Sequence, residues 1–223
     1  MLLKRRKVGQ SKPSSSISTA SSPNASQINP ESKVGLKTTI TISFPEIEDQ
    51  LPEVWGLAQS LAMEISLADS HGTPLPHKRP TVLAGRQSLG TFATNQTGRA
   101  KILYTFNEKG EHIISCLFDG DPGDLPSKVT RTIRIVDYRE EIVSIFNSLI
   151  GWANSHVATI SKEATPREIQ TALARQSKSI DHEALERVIW SFEEADYSTH
   201  PIGRAQYVTM IISARRVQES AEA

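Results

Sequence analysis

Leu36-Lys37-Thr38-Thr39-Ile40-Thr41-Ile42-Ser43-Phe44 alternates apolar and polar residues over nine positions before Pro45 closes it. A period of two puts one face of an extended chain on a core and the other in water, so this stretch reads as a half-buried β-strand. The same alternation recurs at Leu61-Met63-Ile65-Leu67, around Thr81-Val82-Leu83, at Leu89-Thr91-Ala93, at Ala100-Ile102-Tyr104-Phe106, at His112-Ile114-Cys116-Phe118 and at Val129-Ile133-Ile135. Asn95-Gln96-Thr97-Gly98 and Asn107-Glu108-Lys109-Gly110 supply the residues of tight turns and read as hairpins. About seven short strands with turn signals between them predict a two-sheet antiparallel sandwich. The stretch from Leu51 to Ser60, with Pro52, Trp55 and Gly56, fits neither period and is expected to be a loop that packs Trp55 against one end of the sandwich.

At Asp137 the period changes to about 3.6. Ile142, Ile145-Phe146, Leu149, Trp152-Ala153 and Val157 form an apolar stripe that predicts a first helix. Thr165-Pro166-Arg167-Glu168 has the pattern of a capping box with proline in the first turn and starts a second. A third is expected from about Asp181, with Leu185, Val188-Ile189 and Phe192 on one face, to near Tyr197. The fourth is expected to start at Pro201 and to carry Ile202, Ala205, Val208, Ile211-Ile212 and Val217. The fold class is therefore α+β as two domains, an antiparallel β-sandwich over 37–137 followed by a small four-helix bundle over 138–218 and a tail over 219–223.

Upstream, Ser11 to Ser32 is dominated by Ser, Pro, Asn and Gln and cannot bury enough apolar surface to offset the entropy of ordering. Residues 1–36 are expected to be a disordered tether. It opens with Met1-Leu2-Leu3 before Lys4-Arg5-Arg6-Lys7, the reverse of a signal peptide's order. Positive charge after an apolar end is what a cytoplasmic membrane flank carries, and an anionic membrane surface is one expected partner of Lys4, Arg5, Arg6 and Lys7. A solvated basic terminus has the same composition. No run of about 18 apolar residues occurs. Lys+Arg and Asp+Glu both number 25, so no overall field favours nucleic acid.

Chemistry-bearing patterns are sparse. Cys116, the single cysteine, stands four residues from His112, which on a strand means one face but about 13 Å of separation, beyond hydrogen-bond reach. It reads as an inert buried thiol. The six histidines show no metal-ligand spacing, and no cofactor or metal is expected. Asp119-Gly120-Asp121-Pro122-Gly123-Asp124 departs from the helix-loop-helix calcium pattern and reads as a solvated turn. Asn24-Ala25-Ser26 and Asn95-Gln96-Thr97 are glycosylation sequons, which carry meaning only in a secreted protein. Glu193, Glu194, Asp196, Tyr197, His200 and Arg204 gather around the turn between the last two helices. As structure, Tyr197 would pack under the turn and the charges would bond helix ends. As a site, Glu193, Asp196, Tyr197, His200 and Arg204 are the candidate binding residues, and a hydrolase using Tyr197 and His200 is the weakest alternative.

Thr94 to Gly98 and Gly110-Glu111-His112-Ile113-Ile114-Ser115-Cys116-Leu117-Phe118-Asp119-Gly120-Asp121 resemble bacterial and archaeal Ig-like domains. Residues 138–218, through Thr165-Pro166-Arg167-Glu168, Phe192-Glu193-Glu194-Ala195, Tyr197-Ser198 and the turn into Pro201, resemble the helical domain at the C-terminus of transglutaminase-like membrane proteins. That resemblance implies a cytoplasm-facing domain beside a membrane helix, with catalysis in a separate papain-like domain. No catalytic residue transfers to this sequence. The expectation is a non-catalytic interaction or scaffold module at the inner face of a membrane, with an unidentified protein partner such as a membrane protein carrying a papain-like domain. The alternative is an accessory or regulatory subunit of such a transglutaminase-like or protease-like enzyme.

Overall fold

A computed structural model describes residues 35–47, 51–161, 163–176 and 179–222. Lys4, Arg5, Arg6, Lys7 and nearly all of the expected tether lie outside the described residues. Leu36, placed at the end of that tether, is bonded into the fold: its N–H donates to the Gly123 carbonyl at 2.8 Å and its carbonyl accepts from Leu125 at 2.8 Å.

The described residues include eight strands: β1 (Thr38–Ser43), β2 (Val54–Gly56), β3 (Ser60–Asp69), β4 (Thr81–Ala84), β5 (Gln87–Thr91), β6 (Arg99–Thr105), β7 (Gly110–Phe118) and β8 (Ser127–Val136). They make a three-stranded sheet in the order β1-β3-β6 and a five-stranded sheet in the order β2-β8-β7-β4-β5. The inward residues meet between the sheets, with Ile40, Leu61, Ile65, Ile114, Cys116 and Ile133 in one core. This distribution of strands between two facing sheets is an Ig-like β-sandwich.

Three expectations need correction. The stretch read as a loop contains β2, which pairs in parallel with β8 through Val54↔Arg134, Trp55↔Ile135 and Gly56↔Val136, so the sheets are not wholly antiparallel. All three β2 residues are buried, which removes the alternation that marks a half-exposed strand. The segments at 95–98 and 107–110 are turns but not hairpins, because β5 and β7 lie in one sheet and β6 in the other. Turn chemistry tells where the chain reverses and leaves open which strand it then joins. The Asp119–Asp124 turn is also not simply solvated: Asp124 is buried, and Lys78 Nζ lies 2.7 Å from Asp121 and 2.6 Å from Asp124.

Four helices follow among the described residues: α1 (Tyr138–His156), α2 (Pro166–Gln176), α3 (His182–Tyr197) and α4 (Arg204–Glu222). Helices α1, α3 and α4 pack on one another, and α2 packs on α3. Their core centres on Ile142, Leu149, Leu185, Val188, Ile189 and Met210, with Phe146 stacked on Phe192 at 3.9 Å between centroids. The capping box is present: Glu168 Oε2 accepts from the Thr165 N–H at 2.8 Å, and the Thr165 hydroxyl accepts from the Glu168 N–H at 3.3 Å. The Thr165 N–H, with the Thr165 hydroxyl donating to the same oxygen at 2.9 Å, holds the Glu168 carboxyl below the usual carboxylate range, as the Ala184 N–H does for Asp181 at the start of α3. A lowered folded pKa means that both caps contribute above the ordinary carboxylate range and weaken as pH falls through it.

Helix α4 begins three residues later than the proline suggested and extends through the expected tail to Glu222. Gly203 sits ahead of the first turn, with its N–H donating to Gln206 Oε1 at 3.2 Å and its carbonyl accepting from Tyr207 at 3.3 Å. Proline permits a helix start but does not impose one, and here the side-chain cap at Gly203 sets it.

The sandwich and the helices share a third, small core of Val54, Val136, Tyr138 and Tyr207, in which the two tyrosine rings stack at 5.0 Å. Burial pushes the Tyr207 hydroxyl up to about 12. Gly56 belongs to this joint, since a Cβ there would lie 2.6 Å from the Gln59 side chain and 2.7 Å from the Tyr138 ring. Gly56→Ala is expected to lower the free energy of unfolding by about 1–3 kcal/mol through overpacking. Gly151→Ala, in α1 where an added Cβ meets nothing within 4 Å, is expected to raise it by about 0.5–1 kcal/mol through helix propensity. Urea denaturation of both variants checks the pair. Equal shifts in one direction would contradict the packing described for Gly56.

Candidate functional site

The candidate residues lie along the last turns of α3 and the segment beyond. Helix α3 buries Leu185, Val188, Ile189, Phe192 and Ala195, so the side opposite them faces outward. Trp190 and Tyr197 stand on that outer side, seven residues apart, and are 54% and 68% exposed. Tyr197 therefore does not pack under the turn as expected. Its ring meets Phe192 only edge-on, at 6.3 Å between centroids.

Glu193, Glu194 and Asp196 occupy the C-terminal turns of α3, where the exposed carbonyls already give the helix a negative end. No basic residue lies in the last turn to offset them. The offset comes from other helices. Arg139, in the first turn of α1, sends its guanidinium across to this end, where it donates to the carbonyls of Ala195, of Ser198 at 2.7 Å and of His200 at 2.6 Å. Arg167, at the start of α2, forms a two-pronged pair with Glu193 at 2.9 and 2.6 Å. Glu186 and Asp196 form no ion pair among the described residues, and one oxygen of Glu194 is buried without a hydrogen-bond partner. His200 is exposed, and its backbone rather than its ring does the bonding, with the N–H donating to Ser198 Oγ at 2.9 Å.

Arg204 does not belong to this corner. It lies 5.0 Å over the Trp55 ring and donates to the Val54 carbonyl at 3.1 Å, so it fastens α4 to strand β2. Four of the five candidate binding residues, Glu193, Asp196, Tyr197 and His200, stay together, and the fifth joins the helices to the sandwich. Sequence reasoning missed Trp190, whose spacing of seven from Tyr197 was the available signal for a shared face. It also missed Arg139, which no local pattern reveals because its partners lie more than fifty residues away.

Cys116 lies fully buried on β7, and burial pushes its thiol up to about 12. His112 turns instead to the Glu108 carbonyl at 2.9 Å and lies tilted against the Phe106 ring at 4.7 Å between centroids, at the rim of an open cavity of about 320 Å³ that Tyr104 and Gln87 also line. Among the described residues no three His, Cys, Asp or Glu side chains are grouped so as to hold a metal ion. No described helix is long and apolar enough to cross a membrane.

No protein-family model matches the sequence, and no curated protein matches it. Solved structures are similar in part. The CARDB domain of a Pyrococcus furiosus protein is 15% identical in a solution structure, covering 44% of this chain and 94% of that one at a TM-score of 0.34. Its crystal structure with two metal ions is 12% identical, covering 51% of this chain and all of that one at 0.35. Domains 4 and 5 of the S-layer protein SbsC are 14% identical over 44% of this chain and 53% of that one, at 0.27.

Two outcomes are expected of this geometry. Arg139→Ala should lower the unfolding free energy by about 2 kcal/mol, since a half-buried cation bonded to several carbonyls is lost. Arg139→Lys should recover less than half of that, because an ammonium cannot reproduce the planar fork. An unchanged urea midpoint for Arg139→Ala would contradict the role given to it. Thiol labelling of the native protein at Cys116 should be slow at neutral pH and accelerate on denaturation. Rapid native labelling would mean that the thiol is accessible and ionised.

Proposed function

We propose that this chain is a non-catalytic interaction module whose contact surface is the outer, C-terminal part of α3 with the segment that follows it. The supporting observation is the placement of Trp190 and Tyr197 on one exposed face beside carboxylates crowded at the negative end of a helix. Neither choice helps the helix fold, since aromatic rings that are more than half exposed bury little and acidic residues oppose the macrodipole. Residues that break a local rule while their fold compensates elsewhere, here through Arg139 and Arg167, mark a surface kept for a partner. Glu193, Asp196, Tyr197 and His200 are the binding residues in this reading, and Arg204 is a joint residue. The Ig-like sandwich presents the helices and carries no chemistry of its own.

The module's place, in the same reading, is the cytoplasmic face of a membrane, supported by the basic run Lys4, Arg5, Arg6 and Lys7. The resemblance of residues 138–218 makes a membrane protein with a papain-like domain the first partner to test. A photo-cross-linking residue at Thr199, exposed in this segment, should capture one predominant protein in cells, whereas the same group at Lys128, exposed on β8, should capture none. Equal capture from both positions would count against a contact surface on α3.

A further inference from the structure

We propose that the outer face of α3 docks an arginine-rich basic segment of a partner protein. The inference rests on the reading of α3 as a contact surface and adds the chemistry of what it contacts. Helix α3 carries Glu183, Glu186, Glu193, Glu194 and Asp196 against a single Arg187. Trp190 and Tyr197 lie two turns apart, roughly 10 Å along the axis. Glu186 stands four residues before Trp190 and Glu194 four after it, while Glu193 stands four before Tyr197. Those are the spacings at which side chains on a helix surface meet. Each ring is thus set beside carboxylates on a face with an excess of negative charge.

That combination selects for guanidinium. An arginine side chain can lie flat on an indole or phenol ring while its N–H groups point sideways to carboxylates, and an ammonium matches only the second half of this arrangement. The internal arginines do not already fill the role. Arg167 is engaged by Glu193, Arg187 by Glu183 at 2.5 Å, and Arg139 by backbone carbonyls on the inner side of the turn. Glu186, one turn before Trp190, and Asp196, between the two rings in the helix, form no ion pair among the described residues. A cationic segment laid along α3 also meets the negative end of the helix, so macrodipole, carboxylates and ring faces all favour the same sign of charge. An anionic or purely apolar occupant would meet like charge or leave carboxylates desolvated and unpaired.

The test is a titration of the full chain with oligo-arginine, oligo-lysine and oligo-glutamate peptides, followed by the indole N–H resonances of its three tryptophans. Oligo-arginine should shift the Trp190 resonance in a saturable manner and leave that of buried Trp55 in place, with oligo-lysine weaker and oligo-glutamate inert. Trp190→Ala, which keeps every charge, should weaken oligo-arginine binding by roughly tenfold, equivalent to about 1.4 kcal/mol. The pair Glu186→Gln and Asp196→Asn should weaken it comparably and reduce its salt dependence. Circular dichroism and melting curves confirm that these surface variants are folded. Binding that survives Trp190→Ala unchanged would be general charge attraction and would overturn the proposal, as would oligo-lysine binding equal to oligo-arginine. A partner captured from Thr199 that binds through a segment without arginine would also overturn it while leaving α3 as a contact surface.

Discussion

A single residue, Asp137, separates the last strand of the sandwich from the first helix, and the remaining architecture answers to that constraint. With so short a connection β8 and α1 cannot move independently, and the apolar residues on either side of Asp137 must be buried together. Val136 and Tyr138 do this with Val54 of β2 and Tyr207 of α4. Asp137 itself turns its carboxylate to the Arg139 N–H at 2.8 Å and caps the helix it begins. Ion pairs from Arg134 to Glu141 and from Lys109 to Glu140 line the outside of the same joint, where solvent limits each to a small contribution.

Two arginines near helix N-termini make sense only in this setting. A cation in the first turn of a helix opposes the dipole of that helix, and both Arg139 and Arg204 are so placed. Each side chain leaves its own helix. Arg204 reaches the Trp55 ring and the Val54 carbonyl, whereas Arg139 reaches the carbonyl end of α3, where a positive charge is favourable. Local cost is exchanged for tertiary fastening in both cases, once between helices and sandwich and once between helices.

The alternation of Leu36–Phe44, Leu61–Leu67 and His112–Phe118 made the sandwich legible, because half-buried strands write their burial into every second residue. The short β2 was illegible for the opposite reason, being buried at all three positions and too brief to show a period. Helix starts with side-chain caps were readable at Thr165 and Asp181. That at Arg204 was not, since Pro201 supplied a stronger local signal than Gly203 and Gln206. For the candidate site, sequence located the acidic and aromatic corner but could not say which way each side chain turns. Whether Tyr197 faced the core and whether Arg204 stayed with it depended on helix phase and on strand β2, both properties of the assembled fold.

The bonding of Leu36 to the Gly123–Leu125 turn fixes where the chain enters the sandwich, beside the start of β8. The helices attach at the other end of that strand, ten residues on, so entry and helices are held roughly 30 Å apart. Seen this way the sandwich is a strut. A load applied at Leu36 passes into β1 and the β7–β8 turn and along the length of β8 before it reaches α1, and the single-residue link at Asp137 leaves no hinge between β8 and the helices.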